Sequence, residues 1–339
     1  MDSATAAGST LRPATAADWP AIAEIFNAAY RADGAGEFRT AESLASENRE
    51  LVMERDVVIA EVAGEPVGYG WSRISPRDGV LVGAFSGAVH PAHQRRGIGT
   101  AMLGQTMDAV GARLAADPRP MPHEFRCMAY DLQPGRIALL AAAGFVPIRF
   151  GYEMRRSLTG TLPDHPLPPG LELRPLVEQD YRAVFDANEE AFLDHWGHRP
   201  ATAEDFQDMC YGPDASPDLW CVAWDGDQVA GVVANVILRD EVEQLGIRRG
   251  WLDNVSVRRP WRGRGVAKAL CSASMRVLRA QGMDEAWLGV DGANPTGAVR
   301  LYEHLGFVVA KGWKVYGRPV DALAPPHWRS SGDRATMEA

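Results

Sequence analysis

Apolar and polar residues follow the same order in the two halves of this chain. Each half opens with a stretch in which apolar residues recur at helical spacing, which predicts an amphipathic helix. In the first half these residues are Trp19, Ile22, Ile25, Phe26 and Tyr30, and in the second half they are Tyr181, Val184, Phe185, Asn188 and Phe192.

Each predicted helix is followed by two short apolar runs on either side of a glycine turn. The turns are Ala63-Gly64-Glu65 and Asp225-Gly226-Asp227. Such a turn between two apolar runs is typical of a β-hairpin. A further strand then leads into a glycine-rich turn and a helix, and a strand, a helix and a closing strand follow. This pattern predicts an α/β fold in which helices flank a mixed sheet.

Short identical segments recur at one fixed distance of 162 residues. Leu11-Arg12-Pro13 returns as Leu173-Arg174-Pro175, and Gly144-Phe145 returns as Gly306-Phe307. A shared offset across both halves indicates an internal repeat. The segment 160–170 is rich in proline and glycine, which is typical of a linker. We therefore predict an N-terminal domain (1–159), a linker (160–170), a C-terminal domain (171–329) and a tail (330–339).

Composition narrows the choice of partners. A length of 339 residues fits two domains, and a net charge of −9 argues against nucleic acid and anionic membranes as partners. The four cysteines show neither close pairing nor metal spacing, and His195 and His198 have no third ligand nearby, so we expect no metal site. No signal peptide or membrane-spanning run is recognisable. We expect a cytoplasmic protein, a monomer or homodimer, with a small-molecule partner.

Two glycine-rich turns carry basic residues in this otherwise acidic chain. Each turn joins an apolar strand to an apolar helix. Glycines allow the backbone to approach a ligand closely, and the free N–H groups of a helix N-terminus attract anions. Neither turn has the spacing of the dinucleotide or phosphate-loop fingerprints. A diphosphate is the ligand that this arrangement favours.

Both turns match the pattern Gln/Arg-x-x-Gly-x-Gly/Ala, as Gln94-x-x-Gly97-x-Gly99 and Arg262-x-x-Gly265-x-Ala267. With these turns and the Gly-Phe pairs that follow, the chain resembles the GNAT acetyltransferase superfamily, which implies two tandem GNAT domains and acetyl-CoA as co-substrate. The resemblance implies that the turns bind the diphosphate and that the preceding strands hold the pantetheine arm by their backbone. The residues implied are Gly87, Ala88, Val89, Gln94, Arg95, Arg96, Gly97, Ile98, Gly99 and Thr100 in the first half, and Val255, Ser256, Val257, Arg262, Gly263, Arg264, Gly265, Val266, Ala267 and Lys268 in the second.

The resemblance extends to the last helix of the second half. It implies that Asn294 contacts the CoA arm and that Tyr302 is the general acid, because a departing thiolate leaves more readily when a hydroxyl donates to it. In the first half Leu132 and Leu140 hold these two places. We therefore expect the N-terminal domain to be non-catalytic, a layout similar to that of tandem GNAT enzymes of the mycothiol synthase type.

An attacking amine must lose its proton, so a base is needed beside the thioester. Asp253 is the first candidate, because strand alternation places it on one face with Val255 and Val257. Asp291 on the next strand is the second candidate and also a candidate for acceptor binding. Asp194, His195 and Trp196, on a polar segment after the first helix of the second half, are the other candidates for acceptor binding.

Together these features predict an acetyl-CoA-dependent N-acetyltransferase that acts on a primary amine of a small polar metabolite by direct attack on the thioester. Two alternatives remain open: a CoA-binding or regulatory module without catalysis, and a protein N-terminal or lysine acetyltransferase. The presence of Tyr302 in one half favours an enzyme, because a module that only binds CoA needs no acid.

Overall fold

The computed structural model describes residues 8–212, 214–293 and 297–320. Over these ranges the chain forms two compact units. Unit 1 contains residues 8–150 and 313–320, and unit 2 contains the described residues between 151 and 312.

Unit 1 is a mixed sheet with flanking helices. Its strands are β1 (Ser9–Pro13), β2 (Val57–Val62), β3 (Glu65–Arg77), β4 (Val80–Val89) and β5 (His123–Tyr130), and its helices are α1 (Trp19–Ala32), α2 (Ala41–Glu47), α3 (Met53–Asp56), α4 (Ile98–Ala115) and α5 (Pro134–Ala142). The strands lie in the order β1-β2-β3-β4-β5. The β4–β5 pair is parallel and the other pairs are antiparallel.

Unit 2 repeats this arrangement. Its strands are β6 (Val146–Ser157), of which residues 151–157 belong to the unit, β7 (Glu172–Leu173), β8 (Cys221–Asp225), β9 (Gln228–Val236), β10 (Arg249–Val257) and β11 (Glu285–Asp291). Its helices are α6 (Tyr181–Phe192), α7 (Ala203–Tyr211), α8 (Arg239–Leu245), α9 (Val266–Ala280) and α10 (Ala298–His304). The strand order is β6-β11-β10-β9-β8-β7, with β10 and β11 parallel.

Each unit takes its last strand from the other half of the sequence. Residues 151–157 of β6 pair with β11 in unit 2, and residues 313–319 of the final strand, β12 (Val308–Pro319), pair with β5 in unit 1. The domain division predicted from the repeat assigns each closing strand to its own half of the sequence. The repeat could not reveal the exchange, because its spacing is the same whichever copy a closing strand joins.

The predicted linker packs on unit 2. Leu162 and Leu167 contact its hydrophobic core, and Asp164 pairs with Arg276 at 3.0 Å. The predicted tail at 330–339 lies outside the described residues.

The predicted amphipathic helices bury the expected faces. Ile22 of α1 and Val184 of α6 are 1% and 0% exposed, which confirms the helical spacing. Alternation in β2 sorts its side chains between two layers, since Val57 and Ile59 pack with α1 whereas Val58 and Ala60 pack with α4. Full burial of side chains of this size contributes about 1.5–3 kcal/mol each, so the helices on both faces stabilise the sheet.

In the part of the chain that the structure describes, the cysteines form no disulfide and take part in no group that could hold a metal ion. All four cysteines are buried and free. Within the described ranges, no three His, Cys, Asp or Glu side chains are grouped so as to hold a metal ion. None of the helices in those ranges is both long enough and apolar enough to cross a bilayer.

Candidate active site

The two glycine turns share one backbone geometry. In unit 1, Arg95 and Gly97 adopt left-handed conformations with φ of 63° and 81°, and in unit 2 Gly263 and Gly265 do so with φ of 73° and 91°. Gly97 and Gly265 are the N-cap residues of α4 and α9. A side chain at Gly265 would be strained by its φ, although no atom lies within 4 Å of where its Cβ would stand. The first N–H groups of each helix therefore lie beside an open turn, which fits a diphosphate.

The first residue of each motif holds the turn to its strand. Gln94 Nε2 donates to the carbonyl of Val89 at 3.1 Å, and Arg262 Nε donates to the carbonyl of Val257 at 2.9 Å. Arg262 also donates to the carbonyl of Ala191 at 3.0 Å. The long donor side chain at this motif position therefore shapes the turn. The groups that could bind an anion are the backbone N–H groups and the exposed Arg264.

Asp194 is directed toward this turn. Its carboxylate accepts hydrogen bonds from Arg259 Nε and Arg262 Nη1, each at 3.0 Å. The hydrogen bonds from Arg259, and then those from Arg262, lower the pKa of Asp194 to about 2. These contacts tie the segment after α6 to the turn, so Asp194 positions the loop.

A gap opens between the two parallel strands in each unit. Pairing of β4 with β5 ends at Ala84 and Arg126, and pairing of β10 with β11 ends at Trp251 and Trp287. Both β4 and β10 continue toward their glycine turns. Backbone groups along these edges face the gap rather than a neighbouring strand, and buried groups of this kind need a partner. The residues predicted to hold the pantetheine arm, 87–89 and 255–257, lie along these edges.

A β-bulge interrupts β10 at Asp253. The register with β9 shifts between Leu252 and Asn254. The prediction that Asp253 shares a face with Val255 and Val257 is wrong, because the extra residue of the bulge breaks the alternation. Leu252 instead packs in one cluster with Val255 and Val257.

The bulge gives Asp253 an unusual environment. Asn254 Nδ2 donates to its carboxylate at 2.8 Å. The carboxylate remains open to solvent, but surrounding protein raises the pKa of Asp253 by desolvation. A solvent-accessible carboxylate with a raised pKa beside a strand gap has the properties of a general base.

Tyr302 lies on α10 within the core of unit 2. Its side chain is 6% exposed, and its ring meets that of Phe307 edge-on with centroids 6.0 Å apart. Val255 and Val257 belong to the same cluster. Burial, and after it the neighbouring Cys271 thiol, raises the pKa of Tyr302 above its usual range. The hydroxyl therefore stays protonated at neutral pH and is able to donate. Asn294 lies outside the described residues.

The structure brings two of the residues predicted for acceptor binding, His195 and Asp291, within electrostatic range of each other. His195 is half-buried and its ring lies against that of Phe192, tilted by 51°, with ring centroids 4.2 Å apart. Burial lowers the pKa of His195, while the charge of Asp291 opposes this shift. Asp291 also accepts a hydrogen bond from the backbone of Ala293 at 3.0 Å. Trp196 lies next in sequence with its side chain exposed.

The corresponding places in unit 1 are apolar. Leu140 holds the tyrosine position and is 2% exposed. Counting back from the glycine turn, Phe85 holds the place of Asp253 and packs edge-on against Phe145, with ring centroids 5.7 Å apart. The β3–β4 register runs without a bulge, so no side chain is pushed out of the alternation. Unit 1 nevertheless contains a cavity of about 700 Å³ that reaches its glycine turn.

Two residues of these clefts were not predicted from the sequence. Asn254 supports Asp253, and Arg136 enters the gap of unit 1 from the first turn of α5. Arg136 is the one basic residue in an otherwise apolar helix, which is the signal that the sequence offered.

Comparison with known proteins matches both halves of the chain to one family. Residues 181–307 match the model of the acetyltransferase (GNAT) family, and residues 53–146 match that of an acetyltransferase (GNAT) domain. A mycothiol acetyltransferase of Streptomyces scabiei is 32% identical over 241 residues, which span 70% of this chain and 72% of that protein. A mycothiol acetyltransferase of Geodermatophilus obscurus is 28% identical over 85% of this chain and 90% of its own length.

Solved structures show the same fold over nearly the full chain. A GCN5-related N-acetyltransferase from Sphaerobacter thermophilus superposes with a TM-score of 0.72 and 27% identity, covering 93% of this chain and 96% of its own. A tandem GNAT protein from the clavulanic acid biosynthesis pathway superposes with a TM-score of 0.68, covering 94% and 99%, and at 17% identity it shows the fold alone. The chain therefore belongs to the GNAT acetyltransferase family, as a tandem-domain, acetyl-CoA-dependent N-acetyltransferase similar to the mycothiol acetyltransferases.

Proposed function

We propose that unit 2 transfers the acetyl group of acetyl-CoA to a primary amine of a small polar metabolite, and that unit 1 does not catalyse transfer. One observation carries this proposal: unit 2 combines a buried, protonated Tyr302 with a bulged Asp253 of raised pKa. Unit 1 has Leu140 and Phe85 at these places. The similarity to mycothiol acetyltransferases supports a small-molecule acceptor.

The binding steps follow from the backbone. The N–H groups at the start of α9 receive the diphosphate, and the exposed Arg264 adds a charge-assisted contact. The edge of β10 at 255–257 holds the pantetheine arm, and one of its N–H groups polarises the thioester carbonyl as an oxyanion hole does. Asp194 keeps Arg259 and Arg262 in place and thereby positions the turn.

Two side chains then move protons in opposite directions. Asp253 accepts a proton from the ammonium form of the acceptor, directly or through one water, so that the neutral amine attacks the thioester carbon. The C–N bond forms, the C–S bond breaks, and Tyr302 donates its hydroxyl proton to the departing sulfur. The acylated nitrogen gives up its second proton to solvent, Tyr302 regains a proton from solvent, and Asp253 releases the proton that it accepted, so that one proton is released per turnover. The products are the N-acetylated acceptor and free CoA. His195, Trp196 and Asp291 contact the acceptor in this proposal.

A thiol-release assay tests the proposal. Acetyl-CoA is incubated with a panel of small amines that includes amino sugars, and free CoA thiol is measured with wild-type protein and with Tyr302→Phe. The protein's own four cysteines are buried, so they add little background. We expect release with at least one small amine and a strong loss in the variant.

Controls separate this function from its alternatives. Release that occurs only with peptides bearing free N-termini or lysines would assign a protein acetyltransferase instead. Binding of acetyl-CoA without release for any amine would assign a non-catalytic module. Unchanged turnover in Tyr302→Phe would remove that residue from the mechanism.

A further inference from the structure

The cavity of unit 1 continues beyond the part that a diphosphate would occupy. It is lined by the glycine turn, by the edge of β4 and by the start of α5. A volume of about 700 Å³ lies within the range of ligand sites, which runs from roughly 300 to 1,000 Å³. Its far end reaches the gap between β4 and β5, where Ser86, Cys127 and Arg136 meet.

Arg136 crosses this gap. Its Nη2 donates to Ser86 Oγ at 2.6 Å and to Cys127 Sγ at 3.3 Å, and its Nη1 donates to the carbonyl of Gly87 at 3.3 Å. These contacts join both strands and use part of the guanidinium's five N–H donors. The other N–H donors of Arg136 could serve a ligand, because this side chain lines the cavity.

Arg136 has no ion-pair partner among the described residues. All of its hydrogen bonds go to a hydroxyl, a thiol and a carbonyl, none of which carries a full negative charge. The nearby Asp33 instead accepts a hydrogen bond from Gln133 Nε2 at 2.9 Å. A cation held in a cleft without a counter-charge is costly, and an anionic ligand would remove that cost.

Two phenol groups line the same cavity within electrostatic range of this guanidinium. They belong to Tyr30 and Tyr69, and both the positive charge of Arg136 and the negative charge of Glu37 act on them. Within the described part of the chain, neither hydroxyl forms a hydrogen bond. Burial raises the pKa of Tyr30 to about 12, so its hydroxyl remains a donor. One guanidinium and two hydroxyls together match the acceptor oxygens of a carboxylate.

Unit 2 lacks this set of donors. Ala298 and Phe192 stand at the repeat positions of Arg136 and Tyr30. Val232 faces Ser256 in unit 2 as Tyr69 faces Ala88 in unit 1, and it too has no donor. The donors are therefore not a requirement of the fold or of the diphosphate turn that the units share.

We infer that unit 1 binds a CoA thioester whose acyl chain ends in a carboxylate, with Arg136, Tyr30 and Tyr69 as the carboxylate receptor. This inference rests on the proposed binding of CoA by the turn at 94–100. The turn holds the diphosphate, the edge of β4 holds the pantetheine arm, and the acyl carboxylate enters the gap between β4 and β5. Unit 1 would then sense or hold a dicarboxylic acyl-CoA while unit 2 uses acetyl-CoA.

The test compares succinyl-CoA, acetyl-CoA and CoA by isothermal titration calorimetry on the full chain. In a Gly265→Val chain, binding at unit 2 is weakened, so the tighter of the measured binding events reports unit 1. In the Gly97→Val/Gly265→Val double variant this binding event must disappear. We expect succinyl-CoA to bind roughly ten- to a hundredfold more tightly than acetyl-CoA, as expected for hydrogen bonds to a charged group. Arg136→Gln should bring this ratio close to one.

Matched variants guard against misfolding. Arg119→Gln removes one exposed positive charge of unit 1 and should leave the ratio unchanged. Tyr30→Phe and Tyr69→Phe keep the rings, and each should lower the ratio by several-fold. Equal affinities of wild-type unit 1 for succinyl-CoA and acetyl-CoA would overturn the inference. Tighter binding of both thioesters to Arg136→Gln would also overturn it, since Arg136 would then merely fill the acyl space.

The outcome is separable from that of the proposed function. Loss of all CoA binding in the Gly265→Val chain would show that unit 1 holds no CoA and would overturn the inference. Acetyl transfer by the wild-type protein in the thiol-release assay would be unaffected by that result. Conversely, a succinyl-CoA preference in a chain without transferase activity would support this inference and contradict the proposed function.

Discussion

Units 1 and 2 share a sheet order, a strand gap and a glycine turn, yet they differ at several matched positions. Unit 2 has Asp253 on a bulge and Tyr302 on α10. Unit 1 has a regular β4 and Leu140, and its gap is crossed by Arg136. Under the proposals above, the turn is retained in both units because it binds the part that all CoA esters share. The gap differs because it would face the acyl group, on which chemistry or selectivity depends.

Under the proposed function, this difference is how the duplicated fold divides its roles. The binding geometry is set by backbone, which tolerates sequence change as long as the left-handed turn positions remain. The reactive groups are single side chains, and one substitution removes each of them. Five predictions, ordered by expected effect, break or sharpen this comparison.

Tyr302→Phe should have the largest effect. Removing the hydroxyl leaves the buried ring in place but removes the proton donor, so kcat should fall by about 10²–10⁴. The KM for acetyl-CoA should change little, because the ring still packs against Phe307. Steady-state thiol release measures both constants. A fall in affinity with kcat retained would make Tyr302 a packing residue.

Asp253→Asn should remove the acidic limb of the pH–rate profile. The base acts when ionised, and its pKa is raised, so wild-type activity should rise with pH through a value above the ordinary range of Asp. The variant should lose about a hundredfold or more in kcat and no longer show this rise. Asp227→Asn, in the exposed hairpin turn of the same unit, is the matched control. An unchanged acidic limb in Asp253→Asn would transfer the role to another group, with Asp291 next to test.

Gly265→Val compared with Gly97→Val separates the two turns. Each introduces a β-branched side chain at a left-handed φ, which costs about 1–3 kcal/mol. Gly265→Val should raise the KM for acetyl-CoA by roughly ten- to a hundredfold, whereas Gly97→Val should leave turnover within about twofold. Equal losses in the two variants would end the division of roles between the units.

Asp194→Asn should have a moderate effect. The amide keeps the shape but loses the charge that holds Arg259 and Arg262, so the turn loosens. The KM for acetyl-CoA should rise by about three- to tenfold with kcat nearly constant. Asp186→Asn, which breaks an exposed pair with Arg182 on α6, should change neither constant. A fall in kcat alone would place Asp194 at the acceptor.

Leu140→Tyr should have the smallest effect. It supplies unit 1 with the missing hydroxyl, but Phe85 still stands where a base is needed and Arg136 still crosses the gap. In a Tyr302→Phe background, thiol release should stay within twofold of that background. Recovery of substantial turnover would show that the acid alone separates the two units.

The sequence alone determined the repeat, the α/β class, the glycine turns and the contrast between Tyr302 and Leu140. These features are encoded locally: helical and strand periodicity depends on near neighbours, and a left-handed turn position favours glycine at a definite place. The family resemblance could be recognised from the turns for the same reason, because the sequence motif and the left-handed backbone geometry belong to the same short segment.

Only the tertiary structure decided the rest. The bulge at Asp253 depends on register with β9, and register is set by a partner strand that lies elsewhere in the chain. The exchange of closing strands depends on which sheet edge each segment pairs with. The engagement of Arg262 with α6, and of Arg136 with β4 and β5, depends on groups that folding brings together from distant positions. Residue type alone shows that these arginines are charged, whereas their long-range contacts show which groups each charge interacts with.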